Sequence, residues 1–188
     1  MDPSIDLKIH TNPDEPANTI YASLIGCLNY CTLFTRPNIA FATNRCTQLS
    51  SHPMTVHWDA ARQIARYLLR TKDRGITYRR KGEGVVEHTN DLMGFMDADF
   101  AGDANDRKST TGWVFKLNDS PISWSSKKQT CVLQSSMEAE LIAGSFTSAE
   151  AVWLIKLGKD FEHHFTPVTI FTDNQLFIAS AKSDVNNN

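Results

Sequence analysis

At Gly75 the chain changes period, and that change restricts the folds open to it. Before Gly75 apolar residues recur at helical spacing. Ile20, Leu24, Leu28 and Cys31 form one stripe up to Arg36-Pro37, and Ile39, Ala42, Cys46 and Leu49 form a second up to Ser50-Ser51-His52-Pro53. A third stripe of Val56, Ala60, Ile64 and Tyr67/Leu68 begins near Thr55 and ends at Gly75. Beyond Gly75, Ile76–Arg79 reads as a short strand, Lys81–Gly84 as a turn and Leu92–Asp97 as a buried strand. Thr111, Trp113, Phe115 and Leu117 then alternate with Gly112, Val114 and Lys116, and Asn118-Asp119 turns the chain into Ile122–Ser125 as a hairpin. Ser135-Ser136 opens a long helix with Glu138 in its first turn, running to about Phe161 and carrying Met137, Leu141, Phe146, Ala149, Trp153 and Leu157. Val168–Thr172 gives one more strand and Asn174 starts a last helix. The expected fold is therefore α/β: a β-β-β-α-β-α order with a mixed sheet, preceded by a small helical subdomain. Residues 1–18, rich in Pro, Asp and Asn, read as a flexible leader, 19–74 as the helical part and 75–188 as the α/β domain.

Three acids sit where this order brings chain ends together. Asp97 closes the apolar run Leu92–Met96, Glu140 lies early in the long helix, and Asp173 closes Val168–Thr172. Clustered carboxylates are the usual site for a hard cation in phosphodiester chemistry. Taken singly, a strand-end Asp is a turn or cap residue and a first-turn Glu answers the helix dipole. Asp99 shares the strand parity of Asp97, whereas Glu138 lies about 200° around the helix from Glu140, so only one of those two glutamates can face a common site.

The net charge of -2 conceals a separation along the chain. Residues 62–81 carry eight basic side chains against Asp73 alone, and Arg62, Arg66 and Arg70 repeat every four residues, with Lys72 just beyond. That face is suited to track a phosphate backbone. Residues 82–106 then carry Glu83, Glu87, Asp91, Asp97, Asp99, Asp103 and Asp106 and no Lys or Arg. Cys27, Cys31, Cys46 and Cys131 form no CxxC pair and read as small buried hydrophobes, so neither structural zinc nor a disulfide framework is expected. Trp58, Trp113, Trp124 and Trp153 read as core. At 188 residues and 41% hydrophobic, the chain supports one medium domain or two small ones. It has no run of the roughly 18 apolar residues that a membrane helix needs, and no signal-peptide pattern at Met1–Asp6. An intracellular location, cytoplasm or nucleus and not secreted, is the expectation, with no membrane partner; the oligomeric state stays open.

Several longer motifs carry a resemblance. They are Tyr21–Tyr30, Thr35–Ala42, His57-Trp58-Asp59-Ala60-Ala61, Asp97-Ala98-Asp99-Phe100-Ala101-Gly102-Asp103, Arg107–Thr110, Ile122–Gln129, Ser135–Leu141 and Thr172-Asp173-Asn174-Gln175. In that order and spacing, nearly the whole chain resembles the end of the reverse transcriptase and the ribonuclease H domain of copia-type LTR retrotransposon polyproteins. The resemblance implies a ribonuclease H-like fold with Asp97, Glu140 and Asp173 as catalytic and metal-binding carboxylates. It implies a two-metal site for Mg²⁺ or Mn²⁺, an RNA–DNA hybrid as substrate, and metal-dependent endonucleolytic cleavage of the RNA strand. Ser109, Thr110, Ser135, Asn174 and Gln175 flank the carboxylates in these motifs as polar groups suited to the hybrid's minor groove. With Arg62, Arg66, Arg70 and Lys72, the residues Ser109, Asn174 and Gln175 make up the expected nucleic-acid contacts.

Two departures from the family pattern are expected to matter. The polymerase palm and its paired aspartates would lie upstream of residue 1, leaving residues 19–90 as a thumb or connection remnant without polymerase activity. The family also carries a fourth carboxylate in a further segment, whereas here 15 residues follow Asp173 and Asp184 is the sole acid among them, placed by pattern at the end of the last helix. The alternative expectation is therefore a catalytically inactive truncated remnant that at most binds nucleic acid.

Overall fold

The computed structural model describes residues 20–78, 92–165 and 168–185. The leader and the basic and acidic positions Arg79, Arg80, Lys81, Glu83, Glu87 and Asp91 lie outside the described residues, as does the turn read at Lys81–Gly84. The chain divides into two units, 1–76 and 77–188.

The first unit is helical: α1 (Ile20–Phe34), a 3-10 turn (Pro37–Ile39), α2 (Ala40–Thr47) and α3 (Thr55–Arg70). Pro37 both stops the first helix and starts the short turn, because it has no N–H to donate and its φ is already helical. The three apolar stripes meet in one core around Tyr21, Ile25, Leu28, Ile39, Cys46, Leu49, Ala60 and Ile64. The Tyr21 hydroxyl donates to the Cys46 carbonyl at 2.8 Å, and burial pushes the Cys46 thiol up to about 11, so that cysteine is inert. Cys27 and Cys131, in contrast, are exposed, which corrects the expectation that all four are buried. His57, fully buried, accepts from the Met54 N–H through Nδ1 at 3.1 Å and fixes the start of α3.

Arg36 holds this unit closed. Its guanidinium is nearly buried and donates to the Thr71 carbonyl at 3.1 Å, to Thr71 Oγ1 at 2.7 Å and to Asn38 Oδ1 at 3.2 Å, with the Tyr67 ring beneath it at 5.6 Å. It thereby satisfies a carbonyl that the end of α3 leaves open. Arg36→Ala is expected to lower this unit's stability by about 2–3 kcal/mol, read as a lower urea midpoint. Arg36→Lys should restore little of that, since an ammonium cannot reproduce the planar fork.

The second unit is an α/β layer: β1 (Met93–Asp99), β2 (Thr110–Leu117), β3 (Ser120–Lys128), α4 (Ser136–Asp160), β4 (Thr169–Phe171) and α5 (Gln175–Val185). The sheet order is β3-β2-β1-β4, with antiparallel β1–β2 and β2–β3 and parallel β1–β4, so the sheet is mixed. Asn118 and Asp119 both adopt positive φ, 51° and 62°, as a two-residue hairpin turn requires. The segment Ile76–Tyr78 is not a strand; the hydroxyls of Ser120 and Tyr78 tie it to the β3 start by donating to the Thr77 and Pro121 carbonyls.

The face of α4 that packs on the sheet differs from the one expected. Buried are Ala139, Glu140, Ala143, Gly144, Thr147, Ala151, Leu154 and Gly158, while Leu141, Phe146, Trp153 and Leu157 are exposed. Small residues win this face because neighbours come close: a Cβ on Gly144 would lie 2.6 Å from the Phe177 ring. Apolar residues occur all round α4, so periodicity alone does not single out one face. Trp153 is accordingly not core, whereas Trp113 packs partly against the cluster of Leu92, Phe115, Ala151, Leu154 and Phe165.

Candidate metal centre

Each of the three acids is set by the end of an element. Asp97 stands opposite Gly112 near the end of β1, Glu140 lies in the second turn of α4, and Asp173 lies between β4 and α5. One carboxylate oxygen from each falls within 4.8 Å of the other two. Asp97 and Asp173 are exposed and Glu140 is buried, so the cluster has a protein side and a solvent side.

Local chemistry aims these groups. Ser135 caps α4 by accepting from the Glu138 N–H at 3.2 Å, and Glu138 reaches back to the Gln134 N–H at 2.8 Å. Glu138 is thus used at the helix start and Glu140 turns inward. Asn174 accepts from the Phe177 N–H at 2.9 Å and caps α5 directly after Asp173. The Asp99 carboxylate lies over Gly102, so close that a Cβ there could not be accommodated, and it is not part of the cluster.

Burial, reinforced by the charges of Asp97 and Asp173, holds the Glu140 carboxyl above the usual carboxylate range, while an N–H from Ala98 partly offsets this. One oxygen of Glu140, Oε2, is buried without a hydrogen-bond partner. Three carboxylates with an oxygen apiece within 4.8 Å of one another, one of them also carrying a buried unmet oxygen, fit a hard divalent cation: such an ion takes carboxylate oxygens and cancels their mutual repulsion.

The loop after β1 is pinned by a device that sequence reasoning missed. Asp103 is buried and receives the Lys128 ammonium at 2.5 Å, with Asp106 on the same ammonium at 2.9 Å. Burial works against that charge, but the two carboxylates outweigh it and raise the Lys128 affinity for its proton. The partners are 25 residues apart, so only the β2–β3 hairpin brings them together.

The expected nucleic-acid residues divide. Ser109 is fully buried, and its hydroxyl accepts from the Ala101 N–H at 3.1 Å, so it holds the loop and presents nothing to a ligand. Thr110 is also buried, Ser135 and Asn174 are helix caps, and Gln175 is exposed. Arg62, Arg66, Arg70 and Lys72 are exposed in the helical unit, with Arg62 in a surface pair with Asp59 at 3.5 Å that contributes little. Asp184 falls in the last turn of α5. No helix among the described residues is long and apolar enough to cross a membrane.

Comparison with known proteins gives clear relatives. The chain is 40% identical over 178 residues to the retrovirus-related Pol polyprotein from transposon RE2 of Arabidopsis thaliana, and 36% identical over 171 residues to that from transposon TNT 1-94 of Nicotiana tabacum. These matches cover 93% and 90% of the chain but 12% of each polyprotein, so the chain spans a small part of those relatives. It is also 42% identical over 137 residues to secreted RxLR effector protein 161 of Plasmopara viticola, covering 92% of that protein. No family model matches, and no solved structure matches. The effector corrects the expectation of an intracellular, non-secreted chain: a relative matched over nearly its full length is described as secreted, so the lack of a signal-like start does not fix the compartment.

Proposed function

The chain belongs to the family of the retrovirus-related Pol polyproteins of copia-type transposons, and from that premise we propose that its α/β unit is a ribonuclease H-like domain that cuts the RNA strand of an RNA–DNA hybrid. The observation carrying this reading is the convergence of Asp97, Glu140 and Asp173, an oxygen of each within 4.8 Å of the others. On this reading the helical unit is the end of a reverse transcriptase, and its Arg62, Arg66, Arg70 and Lys72 face tracks phosphates.

Asp97, Glu140 and Asp173 would hold Mg²⁺ or Mn²⁺. When bound, such ions activate a water for attack and stabilise charge on the leaving 3′ oxygen. The protein's own part is to position and to stay dry on one side. Glu140 sits in the wall, Asp97 and Asp173 stand open to the incoming phosphodiester, and the Asp103–Lys128 pin keeps the loop beyond Asp97 in place. Gln175, exposed just past the Asn174 cap, is within a few residues of Asp173 and is available to a sugar hydroxyl.

The raised Glu140 pKa gives a pH prediction with a definite sign. A carboxyl whose folded pKa exceeds its unfolded value favours the fold while protonated, and that gain is lost as pH rises through the folded pKa. The metal-free domain should therefore lose stability as pH climbs above the ordinary carboxylate range of roughly 4. A divalent cation needs Glu140 ionised, so its stabilising shift in thermal midpoint should grow as pH rises from the ordinary carboxylate range of roughly 4 towards neutrality. Thermal melts with Mg²⁺ and with EDTA across that range check this; a shift that does not depend on pH would remove Glu140 from the site.

The direct test is cleavage of a labelled RNA–DNA hybrid by the 188-residue protein with Mg²⁺, Mn²⁺ or EDTA. Metal-dependent cutting is the expected result. A folded protein that binds the hybrid and leaves it intact would favour the second reading, a non-catalytic remnant. That reading has one observation behind it: effector protein 161 consists almost entirely of the matched stretch.

A further inference from the structure

Gln129, the residue after β3, is buried and uses both its backbone and its side chain on other elements. Its backbone N–H donates to the Ser109 carbonyl at 2.8 Å, just before β2. Its side-chain nitrogen donates to Thr111 Oγ1 of β2 at 2.9 Å and to the Ala139 carbonyl of α4 at 3.1 Å. A carbonyl only accepts, so the amide nitrogen must face Ala139. These bonds are links in a closed ring. Thr111 stands opposite Ala98 in the β1–β2 ladder, the Ala98 N–H donates to the Glu140 carboxylate, and Glu140 follows Ala139 in α4. Ala98 lies past Phe95, where the pairing of β1 with β4 ends.

The packing of α4 on the sheet does not fix this ring unaided. Near Glu140 the helix buries Ala139, Ala143 and Gly144, and such small apolar contacts are non-directional: they hold a helix to a sheet but resist sliding little. A hydrogen bond weakens steeply with misalignment, so the one from Gln129 sets where the first turns of α4 stand along the sheet. A slip by one residue's rise is about 1.5 Å, against the 4.8 Å within which the three carboxylate oxygens meet. Farther along, Ser123 Oγ donates to Glu150 at 2.5 Å and makes a second tie between β3 and α4. That tie lies about three helical turns beyond Glu140.

We propose that Gln129 is a positioning residue of the cation cluster: by holding the Ala139 carbonyl to β2, it sets where the Glu140 carboxylate meets Asp97 and Asp173. Gln129 acts through Ala139 and supplies no ligand of its own. Its consequence for a cation rests on the metal-binding reading above; its consequence for Glu140 does not.

The test compares Gln129→Met, Thr111→Val and Ser123→Ala in the 188-residue protein. Met keeps the length of the side chain and removes both donated bonds, whereas Val removes the Thr111 oxygen and keeps the bond to Ala139. The first readout needs no cation: it is the amide-proton resonance of Ala98 in EDTA, with a Glu140→Ala protein marking its position once the carboxylate is gone. Gln129→Met should move that resonance most of the way to the Glu140→Ala position, Thr111→Val part of the way, and Ser123→Ala not at all. The second readout is Mn²⁺ affinity, followed through water-proton relaxation. Gln129→Met should weaken it about tenfold, the low end of what groups behind a metal ligand contribute. Thr111→Val should weaken it less and add nothing to Gln129→Met in the double variant, while Ser123→Ala keeps the wild-type value. A role in stability alone predicts equal effects from the two ties. Where Gln129→Met does not fold, Thr111→Val carries the same comparison against Ser123→Ala. An Ala98 resonance unmoved by Gln129→Met, a Ser123→Ala protein that moves it as far, or unchanged Mn²⁺ affinity beside a wild type that binds overturns the assignment. Wild-type protein that takes up no Mn²⁺ would end the metal reading and leave the Ala98 resonance to decide the role of Gln129.

Discussion

Asp97→Asn is expected to reduce metal-dependent hybrid cleavage by at least about a hundredfold while leaving the domain folded. The size follows from what a bound divalent cation contributes, several kcal/mol of charge stabilisation, at about 1.4 kcal/mol per factor of ten in rate. Folding is spared because Asp97 is exposed and, among the described residues, no hydrogen bond or ion pair holds its side chain. In EDTA the variant should melt at the wild-type temperature or above it, since one of the charges that raises the Glu140 pKa is gone. The same substitution should shrink the melting shift produced by Mg²⁺. Undiminished cutting by a folded Asp97→Asn protein would end the proposal of a carboxylate metal site.

Phe115→Ala carries the largest expected stability loss, about 3–5 kcal/mol, because it empties a fully buried aromatic position. Phe115 sits in mid-β2, under Ala151 and Leu154 of α4 and across from Gly94 of β1. A Cβ on Gly94 would lie 2.7 Å from the Phe115 ring, so the two positions are fitted to each other and the backbone has little room to close the void. Against a typical total of about 5–15 kcal/mol, that loss leaves the α/β unit marginal. Urea unfolding of the unit should show the lower midpoint, with Phe115→Leu in between. A variant within about 1 kcal/mol of wild type would mean that the cluster around Phe115 is not the centre of this core.

Element type and order were readable from periodicity because period 2 and period 3.6 rest on backbone geometry alone. The three carboxylates were readable because each sits at an element end, which makes their convergence a matter of topology. What the sequence hid depends on contacts between distant residues. The small-residue face of α4 is set by Phe177 and the sheet, neither of which leaves a mark on the local pattern of residues 136–160. Ser109 looks like any exposed hydroxyl beside a basic pair until the loop folds its side chain under Ala101. Asp103 looks like one acid among seven until the hairpin delivers Lys128 to it.

The parallel pairing of β1 with β4, Met93 with Thr169 through Phe95 with Phe171, also orders events in time. The hairpins that join β1, β2 and β3 close short loops, whereas β4 must return across most of the α/β unit, and long loops close late. Asp173 travels with β4, so the cluster of three acids exists only once that last strand has docked. Cations added to such a chain should leave the refolding rate nearly unchanged and slow unfolding, because they hold contacts that the transition state has yet to make.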